Sequence, residues 1–176
     1  MGSVTERANG VTREPRVTPL VHGVHAEACD AIVEGLPYHF GNVDGLRACA
    51  RAVREEDGLV ALDGADVVGF LTFVRRFDVA AEITWMAVRA DRRGGGVGTA
   101  LVERFARIMA HEGRRLLLVL TLSTSEPEPD APPGGGYAAT RAFYASVGFA
   151  PVRDLPGLWP DDVAVLLVRA LAEGDA

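Results

Sequence analysis

The stretch EITWMAVRADRRGGGVGTAL, residues 82–101, decides the fold. Glu82 to Val88 is an apolar, β-prone run and reads as a strand. Gly94, Gly95, Gly96 and Gly98 follow, and then Leu101, Phe105, Ile108 and Met109 recur at helical spacing up to a stop at Gly113. Leu116 to Leu122 is almost uninterrupted aliphatic, as suits a central parallel strand buried on both faces. Strand, glycine loop, helix and strand make a βαβ unit with a right-handed crossover.

The glycines carry chemistry as well as topology. Without a Cβ, backbone N–H groups can approach an anion closely. The following helix adds free N–H groups and the positive end of its dipole, and Arg92 and Arg93 add charge. The segment therefore predicts a phosphate cradle. A P-loop is excluded, because all 18 basic residues are arginine and no lysine can follow Gly98. A dinucleotide Gly-x-Gly-x-x-Gly pattern fails too: begun at Gly96 it meets Leu101 at its third glycine, and begun at Gly94 it meets Thr99. What stands is Arg93-Gly94-Gly95-Gly96-Val97-Gly98, an Arg-x-x-Gly-x-Gly arrangement.

Outward from this unit, the chain reads as a flexible lead-in (1–16) and a single domain over 17–171. Arg16–Leu20 is a short first strand, and Ala26–Leu36 and Val43–Glu56 are helices joined by an aromatic loop, Tyr38–Asn42. Leu59–Leu62 and Val67–Val74 form a hairpin across Asp63-Gly64. Ser123–Gly136 is a mobile, acidic, Pro/Gly-rich insertion. Tyr137–Val147 is a helix, and Ala150–Arg153 and Val163–Arg169 are the last strands. The 176 residues are 48% hydrophobic and 24% charged, enough for a full core. A net charge of −6 argues against nucleic acid and permits a cationic substrate. No run suits a membrane span or a signal region, so the expected setting is cytoplasmic. Cys29 and Cys49 fit no metal spacing and read as inert core thiols, and the four histidines form no metal pair.

Ala87-Val88 through Thr99-Ala100-Leu101 resembles the coenzyme A pyrophosphate loop of the GNAT superfamily of N-acetyltransferases. Thr140-Arg141-Ala142-Phe143-Tyr144-Ala145-Ser146-Val147-Gly148-Phe149 resembles that superfamily's C-terminal segment. The two motifs stand in the right order, and the likeness runs from about Leu59 to Leu171. It implies an α/β (α+β) fold: a mixed, mainly antiparallel sheet flanked by helices, whose two central parallel strands splay apart. It implies acetyl-CoA as co-substrate and direct transfer to a primary amine in a ternary complex, with no metal, no nucleic acid and no membrane. Two departures stand out: Tyr137 where the superfamily often has an asparagine, and the long insertion after Leu122.

Carried over residue by residue, the resemblance makes Glu82 the general base, often through water, and Tyr144 the proton donor to the departing sulfur. Met86, Ala87 and Val88 become the strand contacts to pantetheine, including the N–H that polarises the thioester. Arg93, Gly94, Gly95, Gly96, Val97, Gly98 and Thr99 become the pyrophosphate cradle. Tyr38, His39 and Phe40 fall where the acceptor pocket is built, with Trp85 and Trp159 as further walls. A non-catalytic acyl-CoA-binding or regulatory domain and a nucleotide-binding module are the competing classes. The acceptor amine and the oligomeric state, a homodimer included, stay open.

Overall fold

The computed structural model describes residues 15–40, 43–131 and 135–172, so the expected lead-in lies outside them except for Pro15 and Arg16. The chain opens with β1 (Arg16–Pro19), α1 (His22–Glu34), α2 (Pro37–Phe40) and α3 (Val43–Glu55). A meander follows: β2 (Asp57–Asp63), β3 (Asp66–Phe77) and β4 (Ala80–Val88). Then come α4 (Val97–His111), β5 (Leu116–Leu122), α5 (Gly136–Ser146), β6 (Ala150–Leu155) and β7 (Ala164–Ala170). The strands form one sheet in the order β1-β2-β3-β4-β5-β7-β6. Every neighbouring pair is antiparallel except β4 and β5, which are parallel. This is the mixed, mainly antiparallel sheet that the family resemblance implies.

Parallel pairing of β4 with β5 runs only from Ala80–Ile83 against Leu116–Val119. The cause lies on the other edge of β4. Phe73 of β3 opposes Ile83, but its neighbour Thr72 opposes Trp85, so Thr84 is a surplus residue. Such a bulge bends the strand and increases its twist. Beyond it β4 keeps its bonds to β3 and leaves β5, which opens the sheet.

Two apolar layers cover the sheet. Leu101, Phe105 and Met109 of α4 pack on Leu71, Phe73 and Ile83, with Tyr144, Val147 and Phe149 extending the layer. Cys29, Ile32 and Val33 of α1 and Cys49 and Val53 of α3 close the opposite face over Val60, Phe70 and Ala87. Both cysteines are buried, and desolvation pushes their thiols up to about 12. Strand β3 is buried on both faces, as its apolar run predicts. Strand β5 is not. One face is buried and the other half-buried, because α1 packs over β3 and β4, and α3 over β4.

Two more local expectations are corrected. The aromatic segment after α1 is a helical turn over Pro37–Phe40 rather than a loop, while Gly41 and Asn42 lie outside the described residues. Residues 123–131 are tied down rather than free. Ser123 Oγ donates to Asp154 at 2.8 Å, and the Val163 N–H donates to Glu126 at 3.2 Å. Residues 132–134 lie outside the described set.

Phe105 is fully buried, with its ring 4.8 Å from that of Phe73. Phe105→Ala is therefore expected to cost about 3–5 kcal/mol, read as a lower urea midpoint at unchanged slope.

Candidate active site

The splay between β4 and β5 is the floor of one cleft of about 630 Å³. Its walls are the free end of β4, the glycine loop, the start of α4, the end of β5 and one face of α5, with α2 and Trp159 at the rim. Of the residues singled out from the sequence, Met86, Ala87, Val88, Arg93, Gly94, Gly96, Val97, Gly98, Thr99 and Tyr144 all line it. His39, Phe40, Trp85 and Trp159 line it too, whereas Gly95, Glu82 and Tyr38 do not.

After β4 the chain makes a 3-10 turn over Ala90–Arg92, and Gly96 caps α4. Gly96 has φ +79° and Gly94 φ +74°, and open space lies where a Cβ would point from either. Among the described residues no side chain caps α4, and no acidic residue stands in its first turn, so its leading N–H groups face the cleft with no described side chain to meet them. Gly98 serves a different purpose. A Cβ there would lie 2.9 Å from the Phe143 ring and 3.1 Å from the end of Met86, so this glycine lets α4 seat against α5 and β4. Arg92 is spent on Asp63 at 2.5 Å, whereas the Arg93 guanidinium, among the described residues, meets the Val88 carbonyl alone, at 3.4 Å.

Tyr144 is buried, with Phe143 and Phe149 edge-on to its ring at 5.2 and 5.4 Å. Its hydroxyl meets the Met86 sulfur at 3.9 Å. Burial raises its pKa and keeps the phenol protonated. Across the splay on β5 stands Thr121, also buried, whose hydroxyl has no partner among the described residues. An orphaned buried hydroxyl is a cost that a ligand can remove.

Glu82 lies on the face of β4 that looks toward α3, ion-paired to Arg76 Nε at 2.7 Å. Thr84 and Glu56 are near it. The Thr84 hydroxyl donates to a Glu56 carboxylate oxygen, so Thr72, 2.8 Å away, donates to Thr84. Thr84 lines the cleft and Glu56 lies behind it. Sequence reading misses Thr84 and Thr121, since a threonine in a strand carries no signal of a bulge or an unmet hydroxyl.

At the rim, Tyr38, His39 and Tyr137 cluster with ring centroids 5.3–6.2 Å apart. Glu128 of the insertion fastens them, accepting from the Tyr38 hydroxyl at 3.1 Å, the Tyr137 N–H at 2.5 Å and Arg141 at 3.1 Å. Burial opposes its charge, yet these donors hold its carboxyl below the usual range. Desolvation, aided by Arg93, lowers the His39 pKa and favours the neutral ring at pH 7.

A family model described as an acetyltransferase (GNAT) domain matches residues 54–151, more than half of the chain. The chain belongs to the GNAT acetyltransferases. The family's co-substrate is acetyl-CoA. Solved structures agree on the fold. A GNAT-family protein of Desulfovibrio desulfuricans aligns at TM-score 0.73 and 19% identity, over 89% of this chain and 100% of that one. An aminoglycoside 6'-N-acetyltransferase complexed with coenzyme A aligns at 0.68 and 16%, over 89% and 97%. The ribosomal-protein-S18-alanine N-acetyltransferase of Escherichia coli aligns at 0.68 and 16%, over 90% and 94%. Curated proteins give no match. Among the described residues of this acetyltransferase, no helix is long and apolar enough to cross a membrane. The uncapped start of α4, the open glycine cradle and the orphaned Thr121 hydroxyl all suit a long phosphate-bearing thioester.

Gly96→Val should lose CoA affinity, because the β-branched side chain resists φ +79° and projects into the approach. Loss of a charge-assisted hydrogen bond costs about 1.5–3 kcal/mol, so calorimetry should show a roughly 10- to 100-fold weaker Kd. Unchanged affinity in folded protein removes the cradle assignment.

Proposed function

We propose that this acetyltransferase moves the acetyl group of acetyl-CoA directly onto a primary amine, in a ternary complex and in a cytoplasmic setting. The observation that carries the reading is Tyr144. It is a buried, protonated hydroxyl in the wall of the splayed cleft, and its partner is a weakly accepting sulfur. Such a donor can give its proton to a departing thiolate as the C–S bond breaks and the C–N bond forms.

Each side of the reaction has its residues. The loop from Arg93 to Thr99, Gly95 included, holds the pyrophosphate. The Met86–Val88 backbone lies along the pantetheine arm, and an N–H there polarises the thioester carbonyl. No enzyme nucleophile is needed. Cys29 and Cys49 are buried in the opposite layer, and their thiols, near 12, furnish no thiolate at neutral pH.

The acceptor must lose a proton, since a free alkyl amine has a pKa of about 10. Two carboxylates stand on the α3-facing side of β4 to receive it. Glu82 is the base that the resemblance suggests, and acts through water because Arg76 holds it outside the cleft wall. Glu56 is reached through Thr84. Thr84 donates to Glu56 and accepts from Thr72, which leaves it one lone pair for an incoming ammonium proton.

Tyr144→Phe keeps the ring and removes one hydroxyl. Turnover should fall by about 10²–10⁴-fold, with acetyl-CoA affinity unchanged. Wild-type turnover with chemistry rate-limiting excludes the donor role. Glu82→Gln and Glu56→Gln should each lower kcat/KM, most strongly at low pH, where the amine is most protonated. The variant whose pH–rate profile overlays wild type is not the base.

A further inference from the structure

The acceptor end of the cleft is walled by Leu36, His39, Phe40, Trp85, Tyr137 and Trp159. They come from the link between α1 and α2, from α2, β4 and α5, and from the segment between β6 and β7. Phe40 and Trp85 stack at a tilt with centroids 6.0 Å apart, and His39 and Tyr137 lie 5.3 Å apart. Among the described residues that line the cleft, none is aspartate or glutamate.

The protein as a whole carries a net charge of −6, so this absence is local. Asp130 and Asp162 stand exposed outside the lining, near enough to act on Tyr38 and Tyr137, and the other carboxylates nearby have partners. Glu128 accepts three hydrogen bonds, Glu126 takes the Val163 N–H, Glu82 is paired with Arg76 and Glu56 takes the Thr84 hydroxyl. The charged residues of the wall are Arg92 and Arg93, at the cradle end. His39 adds no negative charge, and burial disfavours its cationic form.

The lining itself offers a polycation no carboxylate for its several ammonium groups, so burying them against it is costly. A single amine meets no such obstacle, because its proton leaves in the reaction and aromatic faces tolerate the cation beforehand. Large flat rings also offer contact area to an apolar body.

We infer that the acceptor is a monoamine borne on an aromatic or bulky apolar body, an arylalkylamine in type, and not a polyamine or an aminoglycoside. This rests on the amine-acetylation reading above.

The test uses the whole chain with tryptamine, phenethylamine, spermidine and kanamycin. Two measurements are made: acetyl-CoA turnover, and calorimetric binding to protein saturated with CoA. The arylalkylamines should exceed both polycations in kcat/KM by at least about 100-fold, the scale of discrimination set by apolar contacts. Trp159→Ala should raise the KM for tryptamine and leave that for acetyl-CoA unchanged. Polycations turned over as well as, or better than, the arylalkylamines overturn the inference, as does an unaltered tryptamine KM in Trp159→Ala. Should no amine be acetylated although CoA binds, the acetylation reading fails, and binding alone then decides the chemistry of the chamber. Tryptamine binding tighter than spermidine sustains the inference, and equal or absent binding overturns it.

Discussion

One surplus residue in β4 governs the architecture. Thr84 has no opposite number on β3, and from that point β4 turns away from β5. Backbone N–H and C=O groups on the inner edge of residues 84–88 then have no strand to bond. Unpaired backbone polar groups are tolerated only where water or a ligand can reach them. The cleft follows from this, and its open strand edge suits an extended polar arm able to bond to it.

The elements around the splay are placed by ordinary packing. α4 is fixed by Leu101, Phe105 and Met109 in the core, and by Gly98, whose missing side chain lets Phe143 and Met86 come close. That anchoring aims the uncapped end of α4 into the cleft, where Gly94 and Gly96 hold the loop in left-handed conformations. α5 carries Tyr144 into the same space from the far side. The insertion after β5 closes the rim through Glu128, which joins α2 to the start of α5. Glu126 and Glu128 thus serve internal bonding, Asp130 is exposed, and no carboxylate lines the described wall.

The glycine loop, the helix it opens and the hairpin at Asp63-Gly64 were legible because each depends on local chemistry. The meander around β3 was legible because its apolar run has no polar face to expose. Depth of burial in β5 was misjudged: an aliphatic run such as Leu116–Leu122 does not say that helices α1 and α3 stop short of it. The bulge at Thr84, the orphaned hydroxyl of Thr121 and the ties of Glu126 and Glu128 were invisible, since each is a relation between distant segments. Glu82 shows the same limit from the other side. Its position in the strand is readable, but its pairing with Arg76 across a distorted ladder is not.

Amide hydrogen exchange across residues 80–88, with and without coenzyme A, tests the dependence of the cleft on the splay most directly. Ala80–Ile83 should be protected in both states by pairing with β5. The β5-facing amides after Thr84 should exchange fast in the free protein and become protected when CoA binds. Full protection of those amides in the free protein, or CoA binding that leaves their exchange unchanged, would contradict the account.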